Sequence, residues 1–121
     1  MAEINPKIAV VYTENAAVAT LIDQKILEEI DIHALENSII PLVERKQGIN
    51  LVLDFSNVEF LSSSALGLLI RVSKKIYESN GQLRLCAISD SIMQIFKITR
   101  LDKIFKIFPD RQQALDSFEN V

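Results

Sequence analysis

The run Ile49-Asn50-Leu51-Val52-Leu53-Asp54-Phe55-Ser56-Asn57-Val58-Glu59-Phe60-Leu61-Ser62-Ser63-Ser64-Ala65-Leu66-Gly67 holds a strand, a loop and the opening of a helix, in that order. Ile49 to Phe55 is apolar on both alternating faces, the pattern of a strand covered on both sides, so it is placed at the centre of a sheet. Asp54 to Leu61 reads as a loop, with Asp54 as its cap. From Ser63 to Ser79, Ala65, Leu66, Leu69, Val72 and Ile76 recur at helical spacing on one face, while Arg71, Lys74, Lys75 and Glu78 fall outside it. Asn80-Gly81 ends that helix.

Upstream, Ile8 to Tyr12 and Ala17 to Ile22 are short apolar runs rich in β-branched residues, joined by a turn at Thr13-Glu14-Asn15, and so pair antiparallel. A helix follows from about His33 to Lys46, with Ile32, Leu35, Ile39, Leu42 and Val43 on one face and Asp31 placed to cap it. Pro41 should kink or interrupt this helix, and Gly48 supplies a left-handed end. Downstream come a strand from Gln82 to Ile88 and a short helix from Asp90 to Thr99 capped by Asp90. An alternating edge strand spans Lys103 to Phe108, and Pro109-Asp110 opens a last helix carrying Ala114, Leu115 and Phe118. The order predicts a single α/β domain over 1–121. Its mixed sheet starts with an antiparallel pair, continues through parallel strands and carries about four helices.

With 121 residues, 49% of them apolar and 24% charged, the chain can build one core. Its net charge of −3 lacks the basic excess with which proteins neutralise phosphate backbones, which argues against nucleic acid and anionic membranes as partners. Met1 to Pro6 lacks the basic start and apolar stretch of a signal peptide, and no run approaches the roughly 20 apolar residues of a membrane span. The expected location is the cytoplasm. The single cysteine, Cys86, lies in the apolar run Leu83 to Ile88 and reads as a buried small hydrophobe.

Catalytic constellations are missing from the sequence. His33 is the only histidine and stands near a helix start, as a surface or capping residue. There is no Gly-x-Ser-x-Gly elbow, no phosphate-cradling glycine loop and no metal-ligand spacing, so neither cofactor nor metal nor enzymatic activity is expected. Glu28-Glu29 and Asp23 read as solvated surface. The triple serine admits two readings. Ser62 or Ser63 caps the helix, and since one cap needs one hydroxyl, the others stand free at a helix N-terminus, where a phosphoryl group is well tolerated.

The stretch Leu53 to Gly67 resembles the signature segment of STAS domains, the family of anti-sigma factor antagonists and sulfate-transporter tails. That pattern is an apolar strand, Asp-x-Ser-x-Val-x-Phe-x, then Asp-Ser-Ser or Asp-Ser-Thr, then Gly-Leu-Gly. The order of elements is similar to that fold along nearly the whole chain. Ser62 stands where the family usually has Asp, and Ala65 where it has Gly. The resemblance implies Ser64 as phosphoacceptor, with Ser63 second, and a partner-binding surface at Ser62, Ser63, Ser64 and Asn57. It also implies partner switching: the unphosphorylated domain binds an anti-sigma factor serine kinase and frees a sigma factor, and a PP2C-type phosphatase resets the phosphorylated form.

Two other readings compete. A non-phosphorylated STAS scaffold would act within a larger signalling or lipid-transport assembly. A receiver-like domain would use Asp54 as acceptor, but needs an acidic pair after its first strand, where Tyr12-Thr13-Glu14 supplies one acid.

Overall fold

The computed structural model describes residues 2–4 (backbone only) and 7–118. Its strands are β1 (Ala2–Ile4), β2 (Ile8–Tyr12), β3 (Ala17–Leu21), β4 (Lys25–Ile26), β5 (Asn50–Asp54), β6 (Phe60–Leu61), β7 (Gln82–Cys86) and β8 (Ile107–Phe108). Its helices are α1 (Glu29–Arg45), α2 (Ser63–Glu78), α3 (Asp90–Ile98) and α4 (Arg111–Asp116), with a 3-10 turn at Leu101–Lys103. Six strands form the main sheet in the order β1-β2-β3-β5-β7-β8. β1, β2 and β3 pair antiparallel, and β3, β5, β7 and β8 run parallel. The expected mixed α/β architecture is therefore present, with β5 well inside the sheet.

Strand alternation sorts the side chains between two cores. Ala17, Ala19, Leu21, Leu51, Leu53, Leu83 and Leu85 face Leu35, Ile39 and Leu42 of α1, Leu66, Leu69, Val72 and Ile76 of α2, and Ile92 and Phe96 of α3. Their in-between neighbours Val18, Val52 and Cys86 face Ala114 of α4 and Phe118. The larger core thus lies under the crossover helices, and α4 covers the opposite face.

Several expectations need correction. Helix α1 begins at Glu29, not His33, and Asp31 is no cap: it sits in the first turn, 3.8 Å from Lys7. Pro41 does not interrupt α1. It lies on the exposed side, as does Asn37, whose carbonyl loses its partner, while Ile39, Leu42 and Val43 anchor the other side. Ser89, not Asp90, caps α3: its hydroxyl accepts the Ile92 N–H at 3.3 Å. The loop expected over Asp54 to Leu61 contains β6, which pairs parallel with β4 in a small second sheet. Lys103 to Phe108 is not one strand. The N–H groups of Ile104 and Phe105 donate to the Leu101 carbonyl, closing a turn that leaves only Ile107–Phe108 extended.

Two glycine positions are sterically demanded. Gly48 adopts φ +73, and a Cβ on Gly81 would stand 2.4 Å from the Ile49 carbonyl oxygen. The left-handed residue after α2 is Asn80, at φ 65.

Candidate functional site

The serine run emerges where the carboxyl ends of β3 and β5 meet the start of α2. Asp54 begins the turn: its Oδ1 accepts the Ser56 N–H at 2.8 Å, the cap expected of it. Buried Phe55 and Val58 pin the loop from below, and the Val58 N–H donates to the Phe55 carbonyl. The Asn57 side-chain amide donates to the Leu21 carbonyl at 3.1 Å, tying the loop to the end of β3. The N–H groups of Glu59 and Phe60 both donate to the Gln24 carbonyl, β6 pairs with β4, and the Ser62 N–H donates to the Ile26 carbonyl at 3.0 Å. The chain therefore enters α2 held along its whole approach.

The three serines divide their roles. Ser62 is the cap, with extended backbone and a hydroxyl that accepts the Ala65 N–H at 3.2 Å. Serine and aspartate are equivalent in this duty. Ser63 and Ser64 open the helix, are exposed, and have no side-chain hydrogen bond among the described residues. Ala65 and Leu66, buried beneath them, anchor the turn. No acidic residue occupies the first turn of α2, so its N–H groups face no fixed negative charge from the helix itself.

Apolar surface adjoins the serines. In the β4–β6 register Leu27 follows Ile26 as Ser62 follows Leu61, and Leu27 and Phe60 are about half exposed, at 47% and 51%. The Lys25 ammonium lies 5.6 Å from the Phe60 ring centre. On the other side of Ser64 a groove opens between α1 and α2, lined by Glu29, His33, Glu36, Gly67 and Arg71. There the Arg71 fork grips Glu36, Nε to Oε2 at 3.1 Å and Nη2 to Oε1 at 2.9 Å. This hydrogen-bonded pairing holds the Glu36 carboxyl below, and the Arg71 guanidinium above, its ordinary value.

Sequence reasoning missed this pair, because its members stand 35 residues apart. It also missed the partner of Asp54. Arg111, from the first turn of α4, donates to Asp54 Oδ2 at 2.9 and 3.2 Å and to the Thr20 hydroxyl at 2.9 Å. His33 is exposed, and Cys86 is buried, its thiol pushed up to about 12 chiefly by desolvation. Among the described residues no group of three potential ligands is placed to hold a metal ion, and no helix is long and apolar enough to cross a membrane.

The family model for the STAS domain matches residues 7–114. The chain belongs to the STAS domain family. This STAS domain is 30% identical over 89 residues to an anti-sigma-B factor antagonist of Bacillus subtilis, an alignment covering 71% of the chain and 80% of the relative. It is 28% identical over 79 residues to an anti-sigma F factor antagonist of Paenibacillus polymyxa, covering 65% and 68%. Among solved structures, a STAS domain protein from Planctomyces limnophilus, described as an anti-sigma-factor antagonist, superposes with a TM-score of 0.81 at 25% identity. That match covers 91% of this STAS domain and 95% of the other chain.

Proposed function

We propose that this STAS domain is an anti-sigma factor antagonist whose binding is switched by phosphorylation of Ser64, with Ser63 the second choice. In this reading the unphosphorylated domain captures an anti-sigma factor serine kinase and so frees a sigma factor. The kinase phosphorylates Ser64, the complex ends, and a PP2C-type phosphatase restores the binding form. The domain contributes a surface and an acceptor and no turnover of its own, acts in the cytoplasm, and needs no nucleic acid, membrane or cofactor.

One observation carries this reading. Ser62 alone performs the cap, which leaves the Ser63 and Ser64 hydroxyls exposed and unengaged on the first turn of α2, beside exposed Leu27 and Phe60. A contact centred there, with Asn57 and the three serines on it, is apolar enough to desolvate. A phosphoryl group brings roughly −1.5 to −2 charges into that contact. The receiver-like alternative is disfavoured by the burial of Asp54 and its engagement with Arg111. The scaffold alternative is favoured by the neutral Ser62, which leaves the acceptor without an adjacent carboxylate.

Incubation with the kinase partner and ATP, followed by peptide mass spectrometry, is expected to place phosphate on Ser64. Ser64→Ala should bind and resist phosphorylation. Ser64→Asp should keep its Tm, since a negative charge at a helix start is worth about 0.3–1 kcal/mol in its favour, yet lose the partner. Phosphate confined to Ser62 would overturn the assignment, and a partner that binds without any phosphorylation would leave the scaffold reading standing.

A further inference from the structure

The groove beside Ser64 has its own charge arrangement. α1 contributes Glu29, His33 and Glu36 to its walls, and α2 contributes Gly67 and Arg71. Arg71 stands seven residues beyond Ser64, about 10 Å along the helix axis at 1.5 Å per residue. Helical side chains lean toward the N-terminus, and that of Arg71 closes much of this gap. Its Nη1 lies 3.5 Å from where a Cβ on Gly67 would stand, and Gly67 is one turn from Ser64 on the same face. Nε and Nη2 are taken by Glu36, while Nη1 has no hydrogen bond among the described residues. The free edge of the fork thus lies over the one residue between Ser64 and Arg71 on that face that has no side chain to block the way.

We infer that Arg71 is the counter-cation for a phosphoryl group on Ser64, held in waiting by Glu36, so that phosphorylation converts a Glu36–Arg71 pair into a Glu36–Arg71–phosphate triad along the groove. The inference rests on the reading of Ser64 as phosphoacceptor. Glu29 and Glu36 repel a dianion placed between them, and Arg71 is the fixed cation among the groove's lining residues, with His33 beside it and Lys75 acting on Glu36 from the next turn of α2. A guanidinium has donors on more than one edge, so a carboxylate and a phosphate can share it. Glu36 then plays two parts: it aims the guanidinium before phosphorylation and competes for it afterwards. The outcome is a phosphate drawn down along the domain's own surface instead of extended toward solvent.

The test installs phosphoserine at position 64 by genetic encoding, without a kinase, and follows its second ionisation by phosphorus NMR. Free phosphoserine titrates near about 6. The midpoint in the otherwise unchanged domain is expected to lie at least about half a unit below that of Arg71→Gln, because a nearby cation favours the dianion. Glu36→Gln should lower it further by removing the competing anion. Lys74→Gln, which deletes a charge from the same helix away from the groove, should move it by less than about 0.1 unit across screening solvent. Equal midpoints with and without Arg71, or a Lys74 effect as large as the Arg71 effect, would overturn the inference. Circular dichroism confirms the fold of each variant. Since no kinase is involved, a null result counts against Arg71 alone. The switch itself fails instead if the phosphorylated domain still captures its kinase.

Discussion

Asp54 illustrates how one carboxylate can serve two structures at once. One oxygen caps the turn that leads to the serines and the other receives Arg111 from the far face of the sheet, beside Thr20, its register partner on β3. Burial works to raise its ionisation, but the Ser56 N–H and the Arg111 guanidinium outweigh burial and hold it below its ordinary value. The folded state therefore binds this proton more weakly than the unfolded chain does. The stabilisation is complete above the unfolded value near about 4 and is lost as pH falls through the lower folded value. Arg111→Gln removes the cation and keeps the burial, so its acid-unfolding midpoint should move to higher pH. Asp54→Asn should flatten the acid limb of stability against pH. Acid titrations followed by circular dichroism check both, and identical midpoints for Arg111→Gln and the parent would show that the pair contributes nothing.

At the scale of elements, β5 and α2 carry the fold, and both were legible because each holds its own period. Leu53 on β5 and Leu69 on α2 are buried in the same core. Leu53→Ala and Leu69→Ala should each cost about 2–5 kcal/mol in urea unfolding. A loss below half of about 1 kcal/mol at both would mean that this interface is not packed as described. What stayed illegible was of two kinds. β4 and β6 are two residues each, too short for any alternation to register, and they exist because the Gln24 and Ile26 carbonyls collect N–H groups from the serine loop. Lys103 to Phe108 reads polar-apolar-apolar twice over, a period of three and not the strict alternation of a strand. The tight turn that buries Leu101 and Phe105 and leaves Ile104 outside suits that pattern better. At the site, the serines and the Asp54 cap were readable from local chemistry. Arg71–Glu36 and Arg111–Asp54 were not, since charged residues on exposed helix faces give no sign of which distant partner they meet.

The whole molecule is asymmetric about its sheet, with three crossover helices on one face and the short α4 on the other. On the α4 face lies Arg84, buried, its Nε donating to Ser117 Oγ at 2.8 Å, Nη2 to Gln82 Oε1 at 2.6 Å and Nη1 to the Leu83 carbonyl at 3.2 Å. Its guanidinium stacks 4.6 Å from the Phe118 ring centre and meets no carboxylate among the described residues. Desolvation pulls its ionisation below the ordinary value. A buried cation without a counter-ion is a net cost that packing offsets. Arg84→Met should therefore leave stability unchanged within about 1 kcal/mol or raise it, while Arg84→Ala should lose about 2 kcal/mol or more through the cavity. Chemical denaturation separates the two, and a Met variant that loses as much stability as the Ala variant would show the guanidinium and its hydrogen bonds to be stabilising in their own right. The stitching of the serine loop has a consequence of another kind. Asn57, Glu59, Phe60 and Ser62 fasten it to the β3–α1 connection before α2 begins. Under the proposed switch, a mark on Ser64 would therefore be written on stiff ground. In that proposal the platform would keep one shape in either state, so a reader of this surface would distinguish the two by charge and bulk alone, and the time to switch would be set by the enzymes that write and erase, not by any rearrangement of the page.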